Sequence, residues 1–193
     1  MEIILIGSGS HQNVLIDIIQ SNKKYKVTGY ISNKINPNLN INFLGDDNEF
    51  EKNKQFKKYN FINGIGSTNQ KENYLRNSIF KSYSRFGKFQ NILHKTAYIS
   101  NGCLYGEGFQ ILMGSYIGIN VKIGKNVLIN SGVIIEHDCE IEDNVVISPG
   151  VTICGGVTIK RNSFIGASST IIQNIKVSEN TFIKSNSLVS IDV

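Results

Sequence analysis

Cysteine is scarce: Cys103, Cys139 and Cys154 are the only three in 193 residues. An odd number without C-x-x-C spacing excludes a disulfide framework and a cysteine zinc site, so all three read as reduced and structural. Long apolar runs are missing as well. None approaches the roughly 20 residues of a membrane span, and the start MEIILIGSGSH lacks the basic flank and small-residue cleavage site of a secretory signal. The expectation is a cytoplasmic protein with no membrane insertion. The lysine-rich stretch at residues 52–58 lacks the base-stacking aromatics and fold motif of a nucleic-acid binder. The net charge of +5 therefore reads as a solvated surface suited to an anionic small ligand, with no nucleic-acid partner.

What is present is a period of six. From Ile117 to Val189, every sixth residue is Ile or Val without a break. Two places before each stands a second small or β-branched residue, from Ser115 and Val121 to Thr181 and Ser187. Such a period is neither helical nor simple strand alternation, and both columns must point inward. Gly118, Gly124, Asn126, Asn144, Gly150, Gly166 and Asn180 recur around them, as expected of corners with unusual backbone angles. This is the hexapeptide signature of a β-helix. Weaker phase through Ile111, Phe109, Cys103 and Ile99 starts it near Ala97.

The first 90 residues follow another pattern. Glu2 to Ile6 reads as a buried strand, Gly7 to Ser10 as a turn, and His11 to Gln20 as a helix with Val14, Leu15, Ile18 and Ile19 inward. Val27 to Ile31, Asn60 to Ile65 and Ser67 to Phe80 supply further strands and helices, implying a small parallel sheet with covering helices. The division expected is residues 1–90 and 91–193, joined near Phe89 to Thr96. GSGSHQ between strand and helix suits an anion-binding turn, with a ligand-free tight connection as the alternative. It is no dinucleotide fingerprint, because Gln12 stands where the third glycine belongs and Ile31-Ser32-Asn33 offers no acid for a ribose.

One segment interrupts the repeat: Ile135-Glu136-His137-Asp138-Cys139-Glu140-Ile141. His137 lies two places after Ile135, outside both inward columns, so it points away from the core. Histidine titrates near working pH and can take the proton of an attacking amine or hydroxyl. A β-helical carbonic anhydrase would need three histidine ligands on zinc, and the repeat region holds only His137. No metal is expected. His94 precedes the first coil and reads as a linker contact.

The Gly-Ser-Gly-Ser-His turn, the in-phase hexapeptides and Ile-Glu-His-Asp together resemble the PglD/NeuD-type bacterial sugar acetyltransferases, over essentially the whole chain. The resemblance implies a Rossmann-like α/β domain that binds a sugar nucleotide, then a left-handed parallel β-helix with three hexads per coil. It also implies a homotrimer with acetyl-CoA in the groove between neighbouring helices. Catalysis falls to His137 as base with Asp138 orienting it. Substrate contacts fall to Gly9, Ser10, His11, Ser32, Asn33, Gly66 and Asn130, and acetyl-CoA contacts to Gly155, Ala167 and Ser185. Val146 stands where a member of the family has a histidine on acetyl-CoA, and Ser32 and Asn33 where it has paired acids. A coil of three hexads stacks Gly155 over His137, leaving a bare N–H suited to an oxyanion, with a glycine pair that merely eases the corner as the alternative. The activity implied is N-acetylation of the 4-amine of a nucleotide-linked 4-amino-6-deoxy sugar. O-acetylation of a sialic acid and a non-catalytic scaffold are the alternatives.

Overall fold

The computed structural model describes residues 1–22, 24–52 and 60–193; beyond Lys52, the lysine-rich stretch lies outside the described residues. Its first part is a sheet of β1 (Glu2–Ile6), β2 (Lys26–Ile31) and β3 (Asn60–Asn63), all parallel, in the order β2-β1-β3. Helices α1 (His11–Asn22), α2 (Asp47–Lys52) and α3 (Gln70–Tyr83) connect and cover it. Strand alternation divides the packing: Ile3 and Leu5 meet Leu15, Ile18 and Ile19 of α1, while Ile4 and Ile6 meet Phe50, Phe61 and Tyr83. Val14 departs from expectation. It is 43% exposed, because the stripe that faces the core is the i, i+3, i+4 set of Leu15, Ile18 and Ile19. Helix α3 starts at Gln70 and not at Ser67, since the Asn69 side chain accepts the Glu72 N–H at 3.0 Å and caps it.

From Ile92 onward the chain is a parallel β-solenoid of two-residue strands in three sheets of six, six and five strands. Each strand pairs with the one 18 residues on, as Leu128 with Val146 and Ile129 with Ile147. The solenoid begins earlier than Ala97, because Ile92 and Leu93 pair with Gln110 and Ile111. Both predicted columns are inward. Ile117 to Val189 line the interior, and the second column is buried from Ser115 to Ile175, loosening only at Thr181 and Ser187 in the last coil. Polar members of that column stay satisfied: the Ser115, Ser163 and Ser169 hydroxyls and the Cys139 thiol each donate to a corner carbonyl 15 residues on. Burial pushes the Cys139 thiol up to about 11, an unreactive group. The three cysteines are free.

The corners close on left-handed residues, chiefly Asn and Gly, with Asp138 at φ 60° among them. Gly118, Gly124 and Gly166 are a different kind of glycine. Their φ is not positive, and a Cβ on any of them would lie within 3 Å of backbone in the next coil, so they are small to let coils stack. At these three the unusual backbone angles expected of corner glycines are absent.

The first face of the solenoid carries Leu128, Val146 and Phe164 outward, and these are buried against Ile3, Leu5 and Leu15. Val146 is fully covered there. Beside that face runs a ladder of side-chain amides, Asn126 to Asn144 at 2.8 Å, to Asn162 at 3.1 Å, to Asn180 at 3.2 Å. Asn63 donates to Asn126 at 3.0 Å, and Gln70, Asn73 and Asn77 of α3 donate to Asn162. Residues chosen for left-handed corners thus also fasten the α/β part to the solenoid. The second face leaves Tyr98, Tyr116, Ile134 and Leu188 exposed. His94 binds Thr96 within the first coil. Among the described residues no helix is long and apolar enough to cross a membrane.

Candidate functional site

Strand order β2-β1-β3 reverses direction at β1, so the loops after β1 and β3 part at their carboxyl ends and leave a crevice. A cleft of about 530 Å³ opens there. Gly9, Ser10 and His11 line it from one loop, Gly64 to Thr68 from the other, and Asn130 from the solenoid. Of the predicted substrate residues, the structure gathers Gly9, Ser10, His11, Gly66 and Asn130. Ser32 and Asn33 do not line this cleft but flank its glycine turn: the Ser32 hydroxyl donates to Ser8, the residue before Gly9, at 2.9 Å, and the Asn33 amide donates to Asp47 at 2.8 Å.

The Gly9 and Ser10 N–H groups meet no acceptor among the described residues, as befits the turn before a helix. Gln12 fills the place of the missing third glycine. Its amide donates to the Gly7 carbonyl and its chain packs where a Cβ on Gly64 would come within 2.7 Å, so the glycine needed for close packing is on the other loop. Gln110 donates to the Asn63 carbonyl at 2.7 Å, which turns its own oxygen to His11 Nε2 at 3.1 Å. Nε2 therefore carries the proton and Nδ1 is an acceptor. Burial, reinforced by the Arg76 charge and opposed by the Gln110 bond, lowers the His11 pKa to about 4. His11 is thus neutral at pH 7 and brings no positive charge to the cleft. Sequence reasoning missed Gln110, whose polarity breaks the apolar first face at Leu128 and Val146, and that break was the available signal.

His137 and Asp138 form a second group at the corner after the second face. His137 Nδ1 bonds the Asp138 carboxylate at 2.8 Å, and both side chains are more than half exposed. Asn120, one coil below, donates to the other carboxylate oxygen at 3.0 Å. These bonds, the one from His137 larger, hold the Asp138 carboxyl below the usual carboxylate range. With Nδ1–H directed to an anion, Nε2 keeps a lone pair and meets no protein partner among the described residues. Gly155 stacks over the ring as expected: a Cβ there would lie 2.7 Å from both Cε1 and Nε2. Its N–H donates to no acceptor among the described residues. Ala167 and Ser185 are not at this corner. They share the edge that carries Asn130, so the predicted acetyl-CoA residues are split between two edges of the solenoid. Among the described residues no cluster of three side chains could hold a metal ion.

Two family models match the chain, a PglD N-terminal domain over residues 2–82 and a bacterial transferase hexapeptide over residues 120–155. No curated protein sequence matches it. Solved structures do. A histidine-to-alanine mutant of GDP-perosamine N-acetyltransferase from Caulobacter crescentus, in complex with CoA and GDP-perosamine, has a TM-score of 0.90 at 22% identity, covering 100% of this chain and 90% of that one. The acetyltransferase domain of PglB from Neisseria gonorrhoeae FA1090 has 0.90 at 19%, covering 100% and 92%. WeeI from Acinetobacter baumannii AYE has 0.60 at 15%, covering 98% and 95%. These likenesses establish the shared fold from end to end. A PglD N-terminal domain joined to transferase hexapeptides matches the PglD/NeuD-type family that the sequence motifs resemble.

Proposed function

We propose that the chain is an acetyl-CoA-dependent N-acetyltransferase acting on the 4-amine of a nucleotide-linked 4-amino-6-deoxy sugar. The observation that carries this reading is His137: Nδ1 tied to the Asp138 carboxylate, Nε2 open, at an exposed corner beneath Gly155. In the reaction the sugar nitrogen bonds to the thioester carbonyl carbon while Nε2 takes its proton. The oxyanion of the tetrahedral intermediate is met by the Gly155 N–H, the C–S bond then breaks, and the proton passes to the departing thiolate. Asp138 holds the imidazole in the tautomer this requires. The nucleotide diphosphate lies along the Gly9 and Ser10 N–H groups, beside neutral His11. Two structural neighbours of the same fold are an enzyme solved with CoA and GDP-perosamine and an acetyltransferase domain, which supports this substrate class.

The active assembly is a homotrimer. Within one chain the cleft, Ala167 and Ser185 lie along one edge of the second face, and His137 and Gly155 along the next. The second face between them presents Tyr98, Tyr116 and Ile134 to solvent, an apolar surface suited to a second copy. Such a copy brings the two kinds of edge together. The tests are acetylation of UDP-, GDP- and dTDP-linked 4-amino sugars, the His137→Ala variant, and sedimentation. Loss of a general base costs roughly 100- to 10,000-fold, so residual turnover above about a tenth removes His137 from that role. An alkali-labile ester on a sialic acid, with nucleotide amino sugars ignored, replaces the amine acceptor with a hydroxyl.

A further inference from the structure

Arg76 of α3 is fully buried, and no ion pair among the described residues includes it. The residues outside the described set, Lys23 and 53–59, contain no Asp or Glu, so no carboxylate of the chain neutralises this guanidinium. Nη1 donates to the Ile65 carbonyl at 2.7 Å and approaches that of Asn63 at 3.5 Å. Nε and Nη2 meet no acceptor among the described residues. A buried cation without a counter-charge is unfavourable for folding alone, and replacing such a group by an apolar one is often neutral or stabilising. Its use lies in what it faces.

Ile65 and Gly66 line the cleft. Their peptide is trans and planar, so a carbonyl held by Arg76 points the Gly66 N–H in the opposite direction. That N–H donates to nothing among the described residues. Arg76 therefore fixes and polarises a peptide whose donor end is turned away from it, and adds an unneutralised positive charge behind the wall. The carboxylate lining the cleft, Glu72, is held by a neighbouring lining residue, accepting from the Thr68 N–H at 2.7 Å and its hydroxyl at 2.8 Å. His11, neutral and bonded to Gln110, supplies no competing cation.

We propose that Arg76 is the positioning residue for the substrate's diphosphate, acting through the Ile65–Gly66 peptide and through its own uncompensated charge. This rests on the reading of the cleft as the nucleotide site. The experiment compares wild type, Arg76→Met and Arg76→Lys for binding of GDP, UDP and dTDP and of the matching uncharged nucleosides. Arg76→Met should fold with an unchanged or higher melting temperature. It should bind diphosphates at least tenfold more weakly and nucleosides within twofold of wild type, with Arg76→Lys between. In catalysis the KM for the nucleotide sugar rises while that for acetyl-CoA stays. An NMR titration of the His11 ring gives an independent readout: Arg76→Met, and pyrophosphate added to wild type, should each raise its pKa from about 4, since both offset the Arg76 charge. Equal loss of diphosphate and nucleoside binding would mean a merely structural role and overturn the proposal. If wild type and Arg76→Met bind diphosphates alike, the inference falls and the cleft reading stands. If wild type binds none, both fall.

Discussion

Gly155→Ala adds a single methyl group over the His137 ring. The new Cβ would lie 2.7 Å from Cε1 and Nε2 and 3.2 Å from Nδ1. Favourable carbon contacts begin near about 3.5 Å, so the imidazole has to retreat by roughly 0.8 Å. The backbone itself tolerates the change, because Gly155 is outside the left-handed region that its neighbour Gly156 occupies at φ 72°. A displacement of about 1 Å in a reacting group costs on the order of 100-fold. We therefore expect kcat to fall about 30- to 100-fold, the KM for the nucleotide sugar to hold, and the melting temperature to move by less than about 3 °C. Steady-state assay of CoA thiol release, with a thermal melt on the same samples, measures all three. A kcat within about threefold of wild type would show that the ring seated on Gly155 is not the reacting geometry.

Substitutions at three further positions probe separate links. Asp138→Asn keeps a residue tolerant of φ 60° but removes the anion from His137, so kcat should fall on the order of 10- to 100-fold, less than for His137→Ala, with the fold intact; an unchanged kcat contradicts the orienting role. Because the Asp138 carboxyl is held below its usual range, the pair persists above that range and is lost only as pH falls through the lower folded value. Gly156→Ala places a Cβ at a left-handed corner and should cost about 1–2 kcal/mol in urea unfolding, whereas Gly156→Asn, matching Asn120 and Asn174 in the same column, should recover most of it. Equal stability of Ala and Gly there would refute the corner argument. His11 has a lowered pKa, so the unfolded chain binds its proton first and stability drops as pH falls from about 6.5 toward 4, by up to about 3 kcal/mol. His11→Gln should flatten that slope in denaturant titrations at pH 7 and pH 4.5, and an identical slope would show that His11 does not cause it.

The period of six determined the solenoid from sequence, because a core two side chains deep accepts only small or β-branched residues at fixed intervals, and a phase error would expose the whole column. The same phase placed His137 outside the core and Gly155 above it. The αL corners were legible as Asn and Gly, but Gly118, Gly124 and Gly166 were not distinguishable from them, since close backbone stacking between coils leaves the same letter as a positive φ. The start at Ile92 was hidden because Asn91 stands in the second column, where later coils carry small or β-branched residues, and its partner strand, Gln110–Ile111, carries a polar residue outward. That residue is buried only because the α/β part lies on it. The cleft was legible only in part: the sequence and its family resemblance pointed to Gly9, Ser10, His11, Gly66 and Asn130, whereas Gly64, Gln110 and Arg76 come from distant stretches with no motif. Arg76 reads as one more surface cation of α3 until β3, its loop and the solenoid are packed around it. Local patterns fix which way a side chain points within its own repeat, but burial and charge environment are set by what other segments cover it, and that is decided only when the chain folds.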